Sequence, residues 1–421
     1  MVNSVAVGGA LTIRDGLKRI PPNMAPEAAW DGGVRMFFSV VGHSADIDAD
    51  GALAELIDQC TAELGGRTPQ AGIMFAGHEM DHAVLLGGVC DAWPDIELIG
   101  CTTDGELSSR LGFRQDSVVL VLLGSDLIDF AAGVGEHLSG DVAAACGRAI
   151  DAARGKANHS PTICLALPES LTASGQAVVE ALSEKLGGDV PVFGATSGDG
   201  YELTKTYQFC GRDVHTDAVP VLLLSGPLMY SAAVESGWAP LGEPGVVTSS
   251  DYTVLHEIDG RPAMEFFRRF LGPDGAPTPE FPLAILDENG AVECLRTALS
   301  EHQDESGAIT FLSEVREGAK VQITTADRAA ILAGCSASVE KAFADYPHGK
   351  SPEVALVFSC CCRRLLLGTR TQEEIGIVES VLGSEFPVVG FYGYGEIGPP
   401  ESSDRVSRYH NEAFVSLILG T

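Results

Sequence analysis

Three glycine-containing stretches of the chain decide its fold: PDIELIGCTTDGE at residues 94–106, VPVFGATSGDG at 190–200 and FPVVGFYGYGE at 386–396. In each stretch, a short apolar run of β type ends at a glycine. A second glycine then follows beside an acidic residue, in the pairs Gly105–Glu106, Gly198–Asp199 and Gly395–Glu396. A pattern that recurs three times in the same order indicates an internal repeat.

The segments around the three stretches repeat as well. Each stretch is preceded by a helix-period segment, by an apolar strand run, and further upstream by another helix and strand. Each is followed by one more strongly apolar strand. The strand runs directly upstream are 72–77, 162–167 and 354–359, the outer strand and helix pairs are 36–41 with 53–64, 130–134 with 141–153 and 321–324 with 328–343, and the closing strands are 118–123, 220–225 and 414–419.

These elements predict an α/β fold with mixed sheets. The predicted unit is strand–helix–strand–helix–strand–loop–strand–strand, and its three pseudo-repeats lie near 35–124, 128–225 and 320–420. We predict two packed domains after an N-terminal segment at 1–33: residues 34–225 with two repeats, and residues 226–421 with inserted hairpins and the third repeat. The predicted hairpins turn at Asn289–Gly290 and at Glu317–Gly318, within residues 283–296 and 309–324.

The charge balance excludes one large class of partners. The 421 residues contain 27 Lys and Arg against 58 Asp and Glu, a net charge of −31. Nucleic-acid binding requires cations that neutralise phosphates, so we expect no nucleic-acid partner. No apolar run approaches the roughly 20 residues of a transmembrane helix, so we expect no membrane insertion. The eleven scattered cysteines indicate buried thiols in a reducing compartment, and we expect a cytoplasmic protein.

Four motifs of the chain are LIGCTTDGEL at 98–107, FSCCCRR at 358–364, FPVVGFYGYGEIGP at 386–399 and YHNEAFVSLIL at 409–419. They resemble the FIST family, a bacterial sensory module with an N-terminal FIST domain and a C-terminal FIST_C domain. The resemblance implies a cytoplasmic sensor of a small ligand, with amino acids or related metabolites as the suggested class. Such domains usually serve histidine kinases of two-component systems, cyclic-di-GMP enzymes or chemoreceptors. Since no such segment follows Thr421, we expect a separate signalling partner.

The candidate ligand-binding residues lie at the ends of strands, where the glycines let a backbone approach a ligand closely. The same glycines and acids also fit a purely structural role in turns and packing, most of all in the second stretch with Thr196, Ser197 and Asp199. The predicted ligand-binding residues are Cys101, Thr102, Thr103, Glu106, Cys360, Arg363, Tyr392, Tyr394, Glu396, His410 and Asn411.

Arg363 and the cysteines beside it carry the chemical part of this prediction. A guanidinium pairs with a carboxylate through two bonds, so Arg363 suits the carboxylate of a ligand or, as a structural bridge, Glu396. Arginine together with glutamate suits an amino-acid zwitterion. Cys360, Cys361 and Cys362 have the chemistry of a soft-metal site or a redox switch, but adjacent cysteines on a strand point to different faces. We therefore predict no metal site.

The sequence leaves two alternatives to a non-enzymatic sensor without a cofactor. The first is a haem-based nitric-oxide sensor, with His78, His82 or His410 as the iron ligand. The second is a zinc hydrolase, because His78, Glu79 and His82 match the H-E-x-x-H pattern. A P-loop, a G-x-S-x-G elbow and a G-x-G-x-x-G turn after the first strand are all lacking, so we expect no enzyme activity.

Overall fold

The computed structural model describes residues 37–303 and 306–421. The N-terminal segment predicted at 1–33 lies outside the described residues. None of the helices within the described ranges has the length and apolar character that crossing a bilayer requires.

The first repeat alternates strands and helices and then adds a short hairpin. Helix α1 begins because Asp48 caps it through its side chain, and it ends at Gly65, which adopts the left-handed conformation with φ 56°. The elements are β1 (Phe38–Ser44), α1 (Ala49–Leu64), β2 (Ala71–Gly77), α2 (His82–Ala92), β3 (Glu97–Thr103), β4 (Glu106–Ser108), β5 (Gly112–Arg114) and β6 (Val118–Gly124).

The second repeat has the same order of elements. Its second helix begins with the Ser174 hydroxyl as cap and ends at Gly187, which adopts the left-handed conformation with φ 99°. The elements are β7 (Asp129–Glu136), α3 (Val142–Arg154), β8 (Pro161–Ala166), α4 (Gly175–Leu186), β9 (Val192–Ala195), β10 (Gln208–Cys210), β11 (Asp213–His215) and β12 (Ala218–Ser225).

The third repeat is interrupted after its first strand by an inserted β-rich segment. The repeat consists of β13 (Met229–Glu235), the insertion, and then α6 (Arg328–Asp345), β22 (Pro352–Cys360), α7 (Cys361–Leu367), α8 (Gln372–Leu382), β23 (Val388–Gly393), β24 (Glu396–Gly398), β25 (Arg408–His410) and β26 (Phe414–Gly420). The insertion contains β14 (Ala239–Asp251), β15 (Val254–Ile258), β16 (Arg261–Pro262), α5 (Ala263–Leu271), β17 (Leu283–Leu286), β18 (Val292–Arg296), β19 (Ala298–Gln303), β20 (Ile309–Phe311) and β21 (Lys320–Thr325).

Two sequence-based predictions for this region are wrong. The third repeat does not begin near residue 320, because β13 pairs antiparallel with β26 just as β1 pairs with β6 and β7 with β12. The strand β21 looks locally like a first strand, but it joins the inserted sheet between β14 and β17. For the same reason residues 309–324 do not form a hairpin, since β14 and β15 separate β21 from β20. The predicted β17–β18 hairpin is confirmed.

The three repeats exchange their hairpins in a cycle. The order of one sheet is β1-β6-β2-β3-β10-β11, of the next β25-β24-β9-β8-β12-β7, and of the third β13-β26-β22-β23-β4-β5. Each repeat thus contributes four strands to its own sheet and a two-stranded hairpin to the sheet of another repeat. The predicted mixed α/β architecture with three pseudo-repeats is confirmed. Strands from both sides of residue 225 share sheets, and the domain boundary there stays a prediction.

The core lies between the sheets, and the helices cover their outer faces. One buried apolar cluster collects side chains from all three repeats, with Phe75 and Phe391 at 4.6 Å between ring centroids and Phe358 against the same ring at 5.6 Å. Three further clusters fill the space between each sheet and its helices. This arrangement brings the ends of β3, β9 and β23 to one place at the centre of the protein.

Candidate functional site

The three glycine–acid loops interlock where these strands end. We call this region the central junction and define it as residues 102–106 (first loop), 195–200 (second loop) and 392–396 (third loop). Backbone hydrogen bonds link each loop to the other two. They are, donor first, Asp104 N to Tyr392 O at 2.8 Å, Tyr392 N to Gly105 O at 2.9 Å, Thr196 N to Gly395 O at 2.9 Å, Tyr394 N to Thr196 O at 3.3 Å and Gly198 N to Thr102 O at 2.8 Å.

Asp104 in the first loop is a buried acid that sequence reasoning passed over. Its Oδ1 accepts hydrogen bonds from the backbone of Gly200 at 2.8 Å and of Tyr201 at 3.1 Å. Its Oδ2 lies 3.4 Å from Nη2 of Arg364, whose Nε is buried without a hydrogen-bond partner. Burial raises the pKa of Asp104 to about 6, although the Arg364 charge opposes that shift. The carboxyl therefore titrates close to neutral pH.

Glu106 begins a fully buried chain of hydrogen bonds that runs away from the junction. Its carboxylate accepts from the hydroxyl of Thr103 and from that of Ser117, the latter at 2.5 Å. Ser117 Oγ lies 3.0 Å from His43 Nε2, and His43 Nδ1 lies 2.7 Å from Ser108 Oγ. The Ser117 hydroxyl donates its hydrogen bond to Glu106 and therefore accepts one from His43 Nε2. This requires that the neutral His43 ring carries its hydrogen on Nε2.

Burial determines the charge of both ends of this chain. It lowers the pKa of His43 to about 3, with Arg114 and Arg110 adding to the effect. It raises the pKa of Glu106 from 4.5 to about 7, although the hydroxyls of Ser117 and Thr103 oppose the shift. His43 lies 65 and 74 residues from its partners Ser108 and Ser117 in sequence, and no local pattern marks it as part of the site.

The raised pKa of Glu106 predicts that stability falls as pH rises. The folded protein holds this proton more tightly than the unfolded chain, so the contribution is complete below pH 4.5 and is lost as pH passes through about 7. The loss amounts to about 3 kcal/mol. We expect the free energy of unfolding of the wild type, minus that of Glu106→Gln, to decrease by this amount between about pH 4 and about pH 8. Urea unfolding measures it, and Glu184→Gln on the exposed face of α4 serves as the control. A difference that stays constant with pH would contradict the buried titration.

Asp199 in the second loop is held as a carboxylate. The hydroxyl of Tyr394 donates to its Oδ1, and the backbone N–H of Thr204 and of Lys205 donate to its Oδ2 at 2.7 and 2.9 Å. Burial raises the pKa of Asp199, but the bonds from Tyr394 and from the backbone outweigh it and leave the pKa below its ordinary value. The third loop is thereby tied to the second by a side-chain bond as well as by the backbone.

A cavity of about 190 Å³ opens beside the first and second loops. Five of its ten lining residues are acidic. The lining consists of His78, Glu79, Thr103, Asp104, Gly105, Gln115, Asp116, Asp199, Gly200 and Glu202. Of the predicted ligand-binding residues, only Thr103 lines it.

Arg363 lies away from this cavity and forms a structural ion pair. Its Nη2 donates to Glu374 Oε1 at 2.6 Å and its Nε to the same oxygen at 3.1 Å, and both side chains are fully buried. The guanidinium also donates to the carbonyl oxygens of Ser236, Ile331 and Glu412. The predicted pairing of Arg363 with Glu396 is therefore wrong. Glu374 is the third residue of α8, and no sequence pattern predicts that it pairs with Arg363.

The remaining predicted residues are buried, and several of them are hydrogen-bonded within the protein. Tyr392 donates to Glu374 Oε2 at 2.5 Å. His410 Nε2 lies 3.0 Å from the carbonyl oxygen of Gly398, and Asn411 Nδ2 donates to Tyr394 O at 3.4 Å. Cys101 lies in the apolar core between the sheets. Their assignment to ligand binding stays a prediction.

The three adjacent cysteines lie together. The sequence-based argument that their side chains diverge is wrong, because β22 ends at Cys360 and α7 begins at Cys361, and this change of backbone direction brings the sulfur atoms within 4.8 Å of one another. All eleven cysteines of the chain are free thiols, and all except Cys210 are buried, which confirms the prediction of buried thiols.

The H-E-x-x-H match does not form the helical pair of a zincin. Helix α2 begins at His82 with Asp81 as its cap, so His78 precedes the helix instead of lying one turn back on it. The Nε2 of His82 lies 3.0 Å from Gly77 O. Both rings pack against Tyr207, at 5.4 and 5.3 Å between centroids.

The residues proposed for haem fit that group poorly. The cavity next to His78 has a volume of about 190 Å³ and is lined by acids, whereas haem needs a larger and mainly apolar pocket. The Nε2 atoms of His82 and His410 both face backbone carbonyl oxygens. Burial lowers the pKa of His410 to about 4.

A second cleft, of about 480 Å³, lies between α4 and the inserted sheet. Among its lining residues, Arg316 pairs with Glu180, and Arg408 pairs with Glu293. Arg296 is buried there and donates to carbonyl oxygens, including that of Tyr409 at 3.1 Å.

Comparison with known proteins gives matches along most of the chain. A family model described as the FIST N domain matches residues 70–261, and one described as the FIST C domain matches residues 262–399. An uncharacterised protein of Mycobacterium tuberculosis is 30% identical over 371 residues, which cover 85% of this chain and 94% of that protein. An uncharacterised protein of Mycobacterium bovis is 27% identical over 371 residues, which cover 85% of this chain and 93% of that protein.

Among solved structures, the chain is similar to a cyanuric acid hydrolase from A. caulinodans. The TM-score is 0.36 at 10% sequence identity, and the match covers 91% of this chain and 99% of that chain. A second cyanuric acid hydrolase structure gives a TM-score of 0.38 at 9% identity, with coverage of 91% and 100%.

Proposed function

This chain belongs to the FIST family, whose domains are sensor domains of signal transduction, and from that membership we propose that it binds a small ligand with an ammonium group and relays the binding to a separate signalling protein. Amino acids are the ligand class that fits best. The proposed site is the acid-lined cavity beside the central junction, and not the buried residues around Arg363 and Glu396.

The observation that carries the proposal is the high concentration of acidic side chains around one small cavity. Five carboxyl groups line about 190 Å³, from Glu79, Asp104, Asp116, Asp199 and Glu202. Within the described part of the chain, only Asp104 among them forms an ion pair, with Arg364. Crowded carboxylates repel one another at this range, and a bound cation relieves that repulsion. An ammonium group is a compact cation that fits such a cavity.

Arg364 supports an amino acid over a simple amine. Its guanidinium contacts Asp104 at 3.4 Å, its side chain retains 12% exposure, and its Nε has no hydrogen-bond partner. Arg364 does not itself line the cavity, but its charge lies next to Asp104, which does, and so attracts a ligand carboxylate toward this side of the cavity. The amino-acid zwitterion that the sequence-based argument placed at Arg363 therefore fits better beside Arg364.

The interlocked loops give the proposed site a route to the rest of the protein. The cavity is lined by the first and second loops, and both are hydrogen-bonded to the third, which begins the hairpin β24–β25. A ligand changes the balance between two arrangements only through its differential affinity for them. We propose that the bound cation favours the arrangement in which Asp104 is ionised, and that a histidine kinase, cyclic-di-GMP enzyme or chemoreceptor reads the altered surface in the cytoplasm.

Calorimetric titration with the common amino acids and matched alkylamines and carboxylates tests this proposal. We expect an amino acid to bind, and Glu202→Gln, which removes an exposed cavity acid, to weaken its affinity about tenfold by removing about 1.4 kcal/mol of attraction. Affinity should also decrease as pH falls through about 6, where Asp104 takes up a proton.

Glu184→Gln on α4 is the matched control, since it removes the same charge from an exposed position outside the cavity. Equal affinity of Glu202→Gln and wild type would exclude the cavity as the site. Binding of carboxylates that lack an amine would contradict the ammonium proposal and would direct attention to the cleft that contains Arg296.

A further inference from the structure

The cluster formed by Cys360, Cys361 and Cys362, which we call the trithiol cluster, is separate from the proposed ligand cavity. All three side chains are buried, and they pack against Tyr394 and the partly buried Leu171. None of them lines the cavity described above. Among the residues that the structure describes, this is the one group of three or more His, Cys, Asp or Glu side chains close enough to hold a metal ion, so the grouping needs its own explanation.

The spacing of the sulfur atoms matches that of ligands around one metal ion. The three atoms lie within 4.8 Å of one another, and Cys361 Sγ and Cys362 Sγ are 3.9 Å apart. A metal–sulfur bond of about 2.3 Å places two ligand sulfurs about 3.8 Å apart in a tetrahedral site and about 4.0 Å apart in a trigonal one. Only a small movement of Cys360 is therefore needed to close the site.

Two buried carboxylates beside the cluster lack partners that a cation would supply. Glu396 Oε2 accepts from the backbone of Ala413 at 3.1 Å, but its Oε1 has no hydrogen-bond partner. Glu412 Oε1 accepts from Thr297, whereas its Oε2 has none. Both glutamates are fully buried, and both interact electrostatically with Cys360. Buried carboxylate oxygens without partners are costly, and they lie here beside three soft ligands.

We propose that the trithiol cluster binds one thiophilic d10 metal ion, Cu⁺ or Zn²⁺, through the sulfurs of Cys360, Cys361 and Cys362. Each thiol that binds the ion releases its proton to solvent, so binding involves no change in oxidation state and strengthens as pH rises. Three thiolates complete the coordination of Cu⁺, whereas Zn²⁺ prefers a fourth ligand. The buried carboxyl group of Glu412 or Glu396 would have to move toward the sulfurs to supply it, because the group of mutually close ligand atoms contains the three cysteines alone among the residues that the structure describes. The proposal does not depend on the ammonium ligand, since the two sites share no lining residue.

Metal titration of the full chain, purified without a histidine tag and kept reduced, tests the proposal. We expect the protein to retain one equivalent of Zn²⁺ or of Cu⁺ per chain in competition with a chromophoric chelator. Neither ion should bind at more than one equivalent per chain. Loss of an outer-shell partner typically weakens metal binding 10–100-fold, so Cys362→Ser, which removes a ligand, should weaken it by about 100-fold or more. Cys60→Ser, at a buried thiol on α1, should leave the affinity unchanged.

X-ray absorption of the loaded wild-type protein gives a readout that does not rely on a folded variant. Three sulfur ligands at about 2.3 Å are expected for either ion, with an additional oxygen near about 2.0 Å only for Zn²⁺. Absence of stoichiometric binding, fewer than three sulfur ligands, or an equal affinity of Cys362→Ser and Cys60→Ser would each overturn the proposal. Amino-acid binding by the metal-free protein would support the proposed function independently of the metal site.

Discussion

Gly390→Ala is expected to prevent the chain from reaching a stable fold. A Cβ atom at this position would lie 1.8 Å from the carbonyl oxygen of Val357 on the neighbouring parallel strand. That atom belongs to the backbone of β22 and cannot rotate away, so β22 and β23 must separate in the middle of the buried sheet. We expect a loss of more than about 4 kcal/mol in the free energy of unfolding, or insoluble protein.

Urea unfolding measures this effect, and the chain provides a matched control in Gly376→Ala. Gly376 lies on α8, and an added Cβ there has no heavy atom within 4 Å. Alanine is the better helix former, so the control should be stabilised by about 0.5–1 kcal/mol. A Gly390→Ala protein that unfolds at the urea concentration of the wild type would show that β22 and β23 do not approach as closely as described.

The same close approach explains the first glycine of each repeated motif. A Cβ on Gly100 would lie 2.2 Å from Met74 O, and one on Gly194 would lie 2.0 Å from Ala166 O. In all three repeats the contact is with the adjacent parallel strand of the repeat's own sheet. These glycines therefore serve the fold, which is the structural interpretation that the sequence had left open beside ligand binding.

Local pattern was sufficient to predict that there are three repeats, but it predicted neither the first strand of the third repeat nor the way in which the repeats assemble. Apolar runs of β type and helix caps such as Ser174 act within a few residues, so a single sequence reveals them. The hairpin exchange depends on pairs such as Phe391 with Glu106, which lie nearly 300 residues apart. Nothing local distinguishes that pairing from a hairpin folding back on its own sheet.

The same limit applies to the candidate site. Thr103 was predicted because its loop carries the repeated motif, and it lines the cavity. Asp104 and Arg364 are sequence neighbours of predicted residues. They matter for the site because Asp104 is buried and contacts Arg364, and tertiary packing creates both properties. The trithiol cluster was rejected on the geometry of a continuous strand, although the strand ends within it.

Removal of one partner of the Arg363–Glu374 pair is the second large effect that we expect. Arg363→Ala leaves the Glu374 carboxylate buried with hydrogen bonds from Tyr392 and Ser359 but without its countercharge. Breaking a buried ion pair in this way costs about 3–5 kcal/mol. Glu374→Ala should cost a similar amount, because it leaves a buried guanidinium that retains only carbonyl partners.

A double-mutant cycle separates the charge effect from loss of packing. The double variant Arg363→Met/Glu374→Leu removes both charges and keeps apolar volume, so it should cost less than the sum of Arg363→Met and Glu374→Leu made singly by at least about 2 kcal/mol. The neighbouring exposed pair of Arg370 with Glu373, at 2.7 Å, is the control, and Arg370→Ala should cost less than about 1 kcal/mol. Urea unfolding of the wild type and these variants decides between a structural ion pair and a ligand-binding arginine. If Arg363→Ala keeps the stability of the wild type but loses amino-acid binding, the guanidinium serves a ligand and our assignment of Arg363 to the fold is wrong.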